Sequence, residues 1–208
     1  FDKDGDENSQ LNALSPAGGN LIPLVQNEGE RHFLSYTSED AKRIYYVTTS
    51  GNAQFLNSYV MDLETKETTL LLEGSEAPTF LFAISPSEKA FISIKEFGNT
   101  YGLGYVHVDR ESYLLTPETK EQHTSSPVFT SETEIYFLTN YDADLSYLAK
   151  FDVSTKEFVP VLKLDKEDFT EIKYAKEENV LYLLGSYGVE DRLYRYDLST
   201  GEYEIISA

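Results

Sequence analysis

Short apolar or alternating runs recur along the chain, each set off by a polar turn. Four stand out: Arg43-Ile44-Tyr45-Tyr46-Val47, Ala90-Phe91-Ile92-Ser93-Ile94, Glu134-Ile135-Tyr136-Phe137-Leu138 and Val180-Leu181-Tyr182-Leu183-Leu184. Segments such as Thr37-Ser38-Glu39-Asp40-Ala41-Lys42 and Ser85-Pro86-Ser87-Glu88-Lys89 precede them. No window keeps its apolar residues at helical spacing, whereas runs punctuated every 8–12 residues or so predict antiparallel strands. The 16 tyrosines and 12 phenylalanines agree, because aromatic side chains suit a pleated, half-buried surface. The expected fold class is all-β.

The runs belong to a longer repeat. Phe151-Asp152-Val153-Ser154-Thr155-Lys156-Glu157-Phe158 returns as Tyr196-Asp197-Leu198-Ser199-Thr200-Gly201-Glu202-Tyr203, and Asp62-Leu63-Glu64-Thr65-Lys66-Glu67 is a third copy. With Asp109, the poorest match, the opening aspartates fall 47, 43 and 45 residues apart. Asp and Ser/Thr side chains bond nearby backbone amides in such turns, and Gly201 suits a left-handed position. A period of roughly 45 residues with four strands per unit predicts the blades of a β-propeller. Four blades are read at 32–78, 79–122, 123–168 and 169–208, and 1–31 reads as half of an earlier one, all in a single propeller domain or fragment. Four and a half blades leave strand edges open. An incomplete ring is therefore expected, in keeping with a chain that begins at Phe1 without Met or a signal-peptide pattern.

Charge narrows the partners. The formal net charge of -19 repels phosphate backbones and anionic lipid, so neither nucleic acid nor membrane is an expected partner. The absence of cysteine removes disulfides, thiolate chemistry and cysteine-bound zinc. No apolar run is long enough for a membrane-spanning helix.

The blade phrases carry a resemblance. Tyr59-Val60-Met61-Asp62-Leu63-Glu64-Thr65, Ile84-Ser85-Pro86-Ser87-Glu88-Lys89, Ser126-Pro127-Val128-Phe129-Thr130-Ser131 and Ile135-Tyr136-Phe137-Leu138-Thr139-Asn140-Tyr141-Asp142-Ala143-Asp144 resemble the propeller of the prolyl oligopeptidase family of serine peptidases, with TolB-type propellers as near relatives. The family's Ser-Pro-Asp-Gly turn stands here as Ser-Pro-Ser-Glu and Thr-Ser-Glu-Thr. The resemblance implies a non-catalytic propeller that gates peptide access to an α/β-hydrolase domain of the same parent chain, and it favours a cytoplasmic protein. Two alternatives stand beside it: a stand-alone TolB-like propeller that binds other proteins, and a propeller lactonase or glycosidase.

Candidate chemistry is sparse. A hydrolase of this kind needs Gly-x-Ser-x-Gly, then Asp, then His. Gly185-Ser186-Tyr187-Gly188 and Gly102-Leu103-Gly104 have the wrong spacing, so no catalytic residue and no cofactor is assigned. Asp2, Asp4, Asp6 and Asn8 alternate oxygen ligands in a manner that suits calcium. Glu7 and Ala13 stand where an EF-hand loop has its Gly and its bidentate Glu, and a polar hairpin is the preferred reading. His32, His107 and His123 are read as core or surface histidines. The segment Lys95 to Gly102 is read as a flexible hairpin loop, with Asn99 matching a family phrase. Leu193-Tyr194-Arg195-Tyr196 and Tyr147-Leu148-Ala149-Lys150-Phe151 read as strands with one face packed. Acidic groups, Glu39-Asp40, Glu132 to Glu134, Asp165 to Asp168 and Glu177-Glu178, are assigned to solubility.

Overall fold

The structure, a computed structural model, describes residues 8–207. Asp2, Asp4 and Asp6 of the calcium reading lie outside the described residues, and Asn8 alone lies within them. Eighteen strands and no helix are formed among the described residues. The chain divides into two compact units, Phe1–Leu81 and Phe82–Ala208.

The first unit holds the two-stranded pair β1 (Leu11–Ala13) and β2 (Ile22–Val25). It also holds a four-stranded meander of β3 (His32–Thr37), β4 (Arg43–Thr48), β5 (Asn57–Asp62) and β6 (Thr68–Glu73). Ile44, Tyr46 and Met61 form its buried cluster, with Leu11, Leu24 and Val25 of the two-stranded pair packed against them.

Three antiparallel meanders follow. They are β7 (Thr79–Ile84), β8 (Ala90–Gly98), β9 (Tyr101–Val108) and β10 (Glu111–Leu114); β11 (Thr124–Phe129), β12 (Glu134–Thr139), β13 (Tyr147–Asp152) and β14 (Glu157–Leu162); and β15 (Asp168–Ala175), β16 (Val180–Tyr187), β17 (Glu190–Asp197) and β18 (Tyr203–Ser207). Two cores lie between the second unit's sheets. Ile92, Val106 and Leu115 meet Ile135, Phe137 and Phe151 in one, and Tyr136, Leu138 and Leu148 meet Phe169, Leu181, Leu183 and Tyr194 in the other.

The middle sheet is therefore buried on both faces. Successive residues of β12 enter opposite cores, which is why Ile135-Tyr136-Phe137-Leu138 is apolar throughout instead of alternating. Tyr147 to Phe151 departs from the one-faced reading for the same reason: Tyr147, Ala149 and Phe151 join one core while Leu148 joins the other. In β17 alternation does hold, with Tyr194 and Tyr196 buried and Arg195 more exposed.

The repeated aspartate shapes its turn directly. Asp62 Oδ1 accepts the N–H groups of Glu64 and Thr65 at 2.9 and 2.8 Å, Asp152 those of Ser154 and Thr155 at 2.8 and 2.9 Å, and Asp197 those of Ser199 and Thr200 at 2.9 and 3.2 Å. Two residues beyond the first bonded amide, the chain turns left-handed at Lys66, Lys156 and Gly201. Asp109 builds a different turn. Asp109 and Arg110 both have positive φ, 52° and 68°, and join β9 to β10 as a two-residue hairpin of the type that needs two such residues.

Candidate functional site

The second unit contains a groove of about 470 Å³. Its walls come from β8 (Ile94, Glu96), from His123 and the start of β11, and from Glu171 to Tyr174 of β15, with Phe82 of β7 at one side. A volume of this order suits a small ligand or a short peptide segment.

His123 is anchored through its backbone. Its N–H donates to Asn140 Oδ1 at 2.7 Å, and it forms an isolated parallel bridge with Gly102 of β9. Its imidazole Nε2 lies 4.0 Å from Glu96 Oε2. Gly102 makes that approach possible. A Cβ there would stand 2.9 Å from Glu96 Oε2 and 3.2 Å from His123 Cδ2, so a larger residue would push the two side chains apart. Burial raises the Glu96 carboxyl above its ordinary value, and His123 pulls it partly back.

Next along the strand, Thr124 is 1% exposed, and its buried Oγ1 has no hydrogen-bond partner. The strand then bulges between Ser125 and Val128, with Ser126 at φ 49°. A non-glycine residue with positive φ costs on the order of 1–2 kcal/mol, so packing must hold the backbone in this shape beside the groove. On the facing wall, Lys173 Nζ is bonded to Glu171 Oε1 at 3.1 Å.

Two further polar clusters occur. His107 of β9 contacts Ser93 Oγ of β8 through Nε2 and Ser112 Oγ of β10 through Nδ1, both at 2.7 Å. Its ring stacks on Phe91 with centroids 4.5 Å apart. Burial lowers the imidazole to about 4, with Lys95 acting in the same direction. A Ser–His contact suggests a nucleophile and its base, but Ser93 is 1% exposed, and the other ring nitrogen meets a hydroxyl in place of a carboxylate. The chemistry this arrangement performs is to tie three strands together. The second cluster is Glu167, whose carboxylate lies 3.6 Å from Arg192 Nη1. At 3% exposure, Glu167 departs from the solubility role read for the acidic run around it. Gly185 leaves the space it fills, since a Cβ there would stand 2.5 Å from Glu167 Oε1.

The remaining sequence candidates fall into strands and turns. His32 is 1% exposed with neither ring nitrogen hydrogen-bonded, and burial lowers its imidazole despite the opposing pull of Glu30. Gly102-Leu103-Gly104 lies inside β9, and Gly185-Ser186-Tyr187 ends β16. The Lys95 to Gly102 segment is strand in place of a flexible loop, with only Asn99 and Thr100 left as the turn between β8 and β9. Phe97 stacks on Tyr101 across that turn, 4.9 Å between centroids, which accounts for the extended pairing. Glu132 has a role beyond solubility as well: its two carboxylate oxygens accept the N–H and the hydroxyl of Ser87, both at 2.7 Å.

No protein-family model matches the sequence, and no curated protein matches it. Solved structures do match. TolB from Acinetobacter baumannii is 13% identical with a TM-score of 0.68, over 95% of this chain and 48% of its own. These likenesses show the fold, a β-propeller. Other chains share it: an oligogalacturonate lyase from Vibrio parahaemolyticus (14% identity, TM-score 0.73) over 98% of this chain and 60% of that one, and a puromycin-hydrolyzing peptidase of Mycobacterium tuberculosis (13% identity, TM-score 0.76) over 96% and 34%. The chain thus spans about half of the TolB and a third of the peptidase that it matches. The propeller regions of TolB and of prolyl endopeptidases are among its structural neighbours.

Proposed function

We propose that this chain is the non-catalytic propeller portion of a prolyl-oligopeptidase-like serine peptidase, where it screens the access of peptides to an α/β-hydrolase domain of the same parent chain. The observation that carries this reading is the match to the puromycin-hydrolyzing peptidase, over 96% of this chain but 34% of that one. Such coverage is what a propeller accompanied by a separate catalytic domain produces. The blade phrases of the sequence point to the same family. A TolB-like protein-binding module is the second reading, favoured by the match to TolB over 95% of the chain.

The protein encoded by the complete gene decides between them. On the peptidase reading, a fluorophosphonate probe labels one serine outside residues 1–208, and the protein cleaves short peptides. Absence of both labelling and cleavage would overturn that reading and leave the binding module.

A further inference from the structure

We propose that the groove between β8, β11 and β15 is a binding subsite for a cationic side chain, the ammonium of a lysine or the guanidinium of an arginine, carried on an extended peptide. Glu96 is the anchor. No protein group among the described residues hydrogen-bonds its carboxylate, and the His123 Nε2 stands 4.0 Å from it, beyond hydrogen-bond reach. A partly desolvated carboxylate in this position gains most from a ligand that brings both a positive charge and N–H donors.

The facing wall carries Lys173 and Glu171 as an exposed pair 3.1 Å apart, so its two charges offset one another. An anionic ligand would face Glu171 and Glu96 together. Ser125 and Ser126 of the bulged β11 add polar residues to the same groove. Phe82, 44% exposed, and Tyr174 provide apolar surface of the kind along which the methylenes of a lysine or arginine stem pack. The net charge of -19 draws cations toward the protein as a whole.

The choice of a peptide as carrier rests on the peptide-handling reading above, but the test reads binding without hydrolysis, so an inactive or absent catalytic domain does not affect it. The probes are acetyl-Ala-Lys-Ala-amide and its norleucine analogue, titrated into the protein. The lysine peptide should bind about tenfold more tightly, and Glu96→Gln should remove that preference while Glu157→Gln, at the exposed start of β14, keeps it. In the unmodified protein, which does not depend on the variant folding, the lysine peptide should move the side-chain NMR signals of His123 and Thr124. Equal affinities for the two peptides, a preference that survives Glu96→Gln, or shifts confined to other residues would overturn the proposal.

Discussion

Lys66 and Lys156 occupy the left-handed position that Gly201 fills in the last repeat, with φ of 64° and 60° against 73°. A lysine Cβ is strained there and a glycine is not. Lys66→Gly should stabilise the protein by roughly 0.5–1 kcal/mol. Lys156→Gly should gain less, because Lys156 Nζ lies 3.5 Å from the centroid of the Tyr113 ring and that cation–π contact is lost. Urea midpoints of the two variants check this, and an unchanged or lowered midpoint for Lys66→Gly would contradict it. Gly74 behaves in the opposite sense. A Cβ at this position would lie 2.1 Å from the Phe55 carbonyl oxygen and 2.2 Å from that of Leu56, both backbone atoms with little freedom to yield. Gly74→Ala should cost more than about 2 kcal/mol, whereas Gly98→Ala, whose Cβ meets nothing within 4 Å, should stay near neutral in the same assay. The aspartate turns were legible because their side-chain bonds are local. The Asp109 hairpin was not, since its second left-handed position is held by Arg110, where such a turn ordinarily has Gly.

At the scale of the element, the second strand of each sheet was the most legible part of the fold, and burial on two faces leaves an uninterrupted apolar run in β12. Cross-strand contacts were not legible. The Ser93–His107–Ser112 ladder joins three strands, and its pH behaviour follows from the buried ring. The folded imidazole titrates at about 4, below the unfolded value of about 6.5. Between those values the unfolded chain binds the proton and the folded chain does not, so the contribution of the neutral ring is intact above about pH 6.5 and is lost as pH falls toward 4. The loss should approach 3 kcal/mol or so at most. Denaturant midpoints of the wild type and His107→Asn at pH 7 and pH 4.5 measure it: the variant should be less stable at pH 7 and should show a smaller acid-induced decrease. An identical decrease in both proteins would assign the effect to other groups. The Ser87–Glu132 contact joins the turn before β8 to the turn before β12, and it should give a coupling of about 0.5–1 kcal/mol in a double-mutant cycle of Ser87→Ala and Glu132→Ala. A coupling of zero would mean that water replaces both bonds at no cost.

For the molecule as a whole, the four-stranded repeat was readable because each blade is local in sequence, with a turn and a Tyr-bearing strand at nearly fixed offsets. The groove was hidden for the converse reason. Glu96 and His123 are far apart in the chain and meet only because Gly102 leaves room between them, and nothing in the spacing of three histidines announces such a meeting. The proposed function, a propeller that admits peptides and leaves the chemistry to another domain, is tested most directly by substrate length. The rate constant kcat/KM of the protein from the complete gene would be measured on a nested series of peptides sharing one cleavage site. A screening propeller predicts a fall of at least about tenfold, roughly 1.4 kcal/mol, between short peptides and chains longer than about 30 residues. Equal rates at every length, or no cleavage at any length, would contradict it.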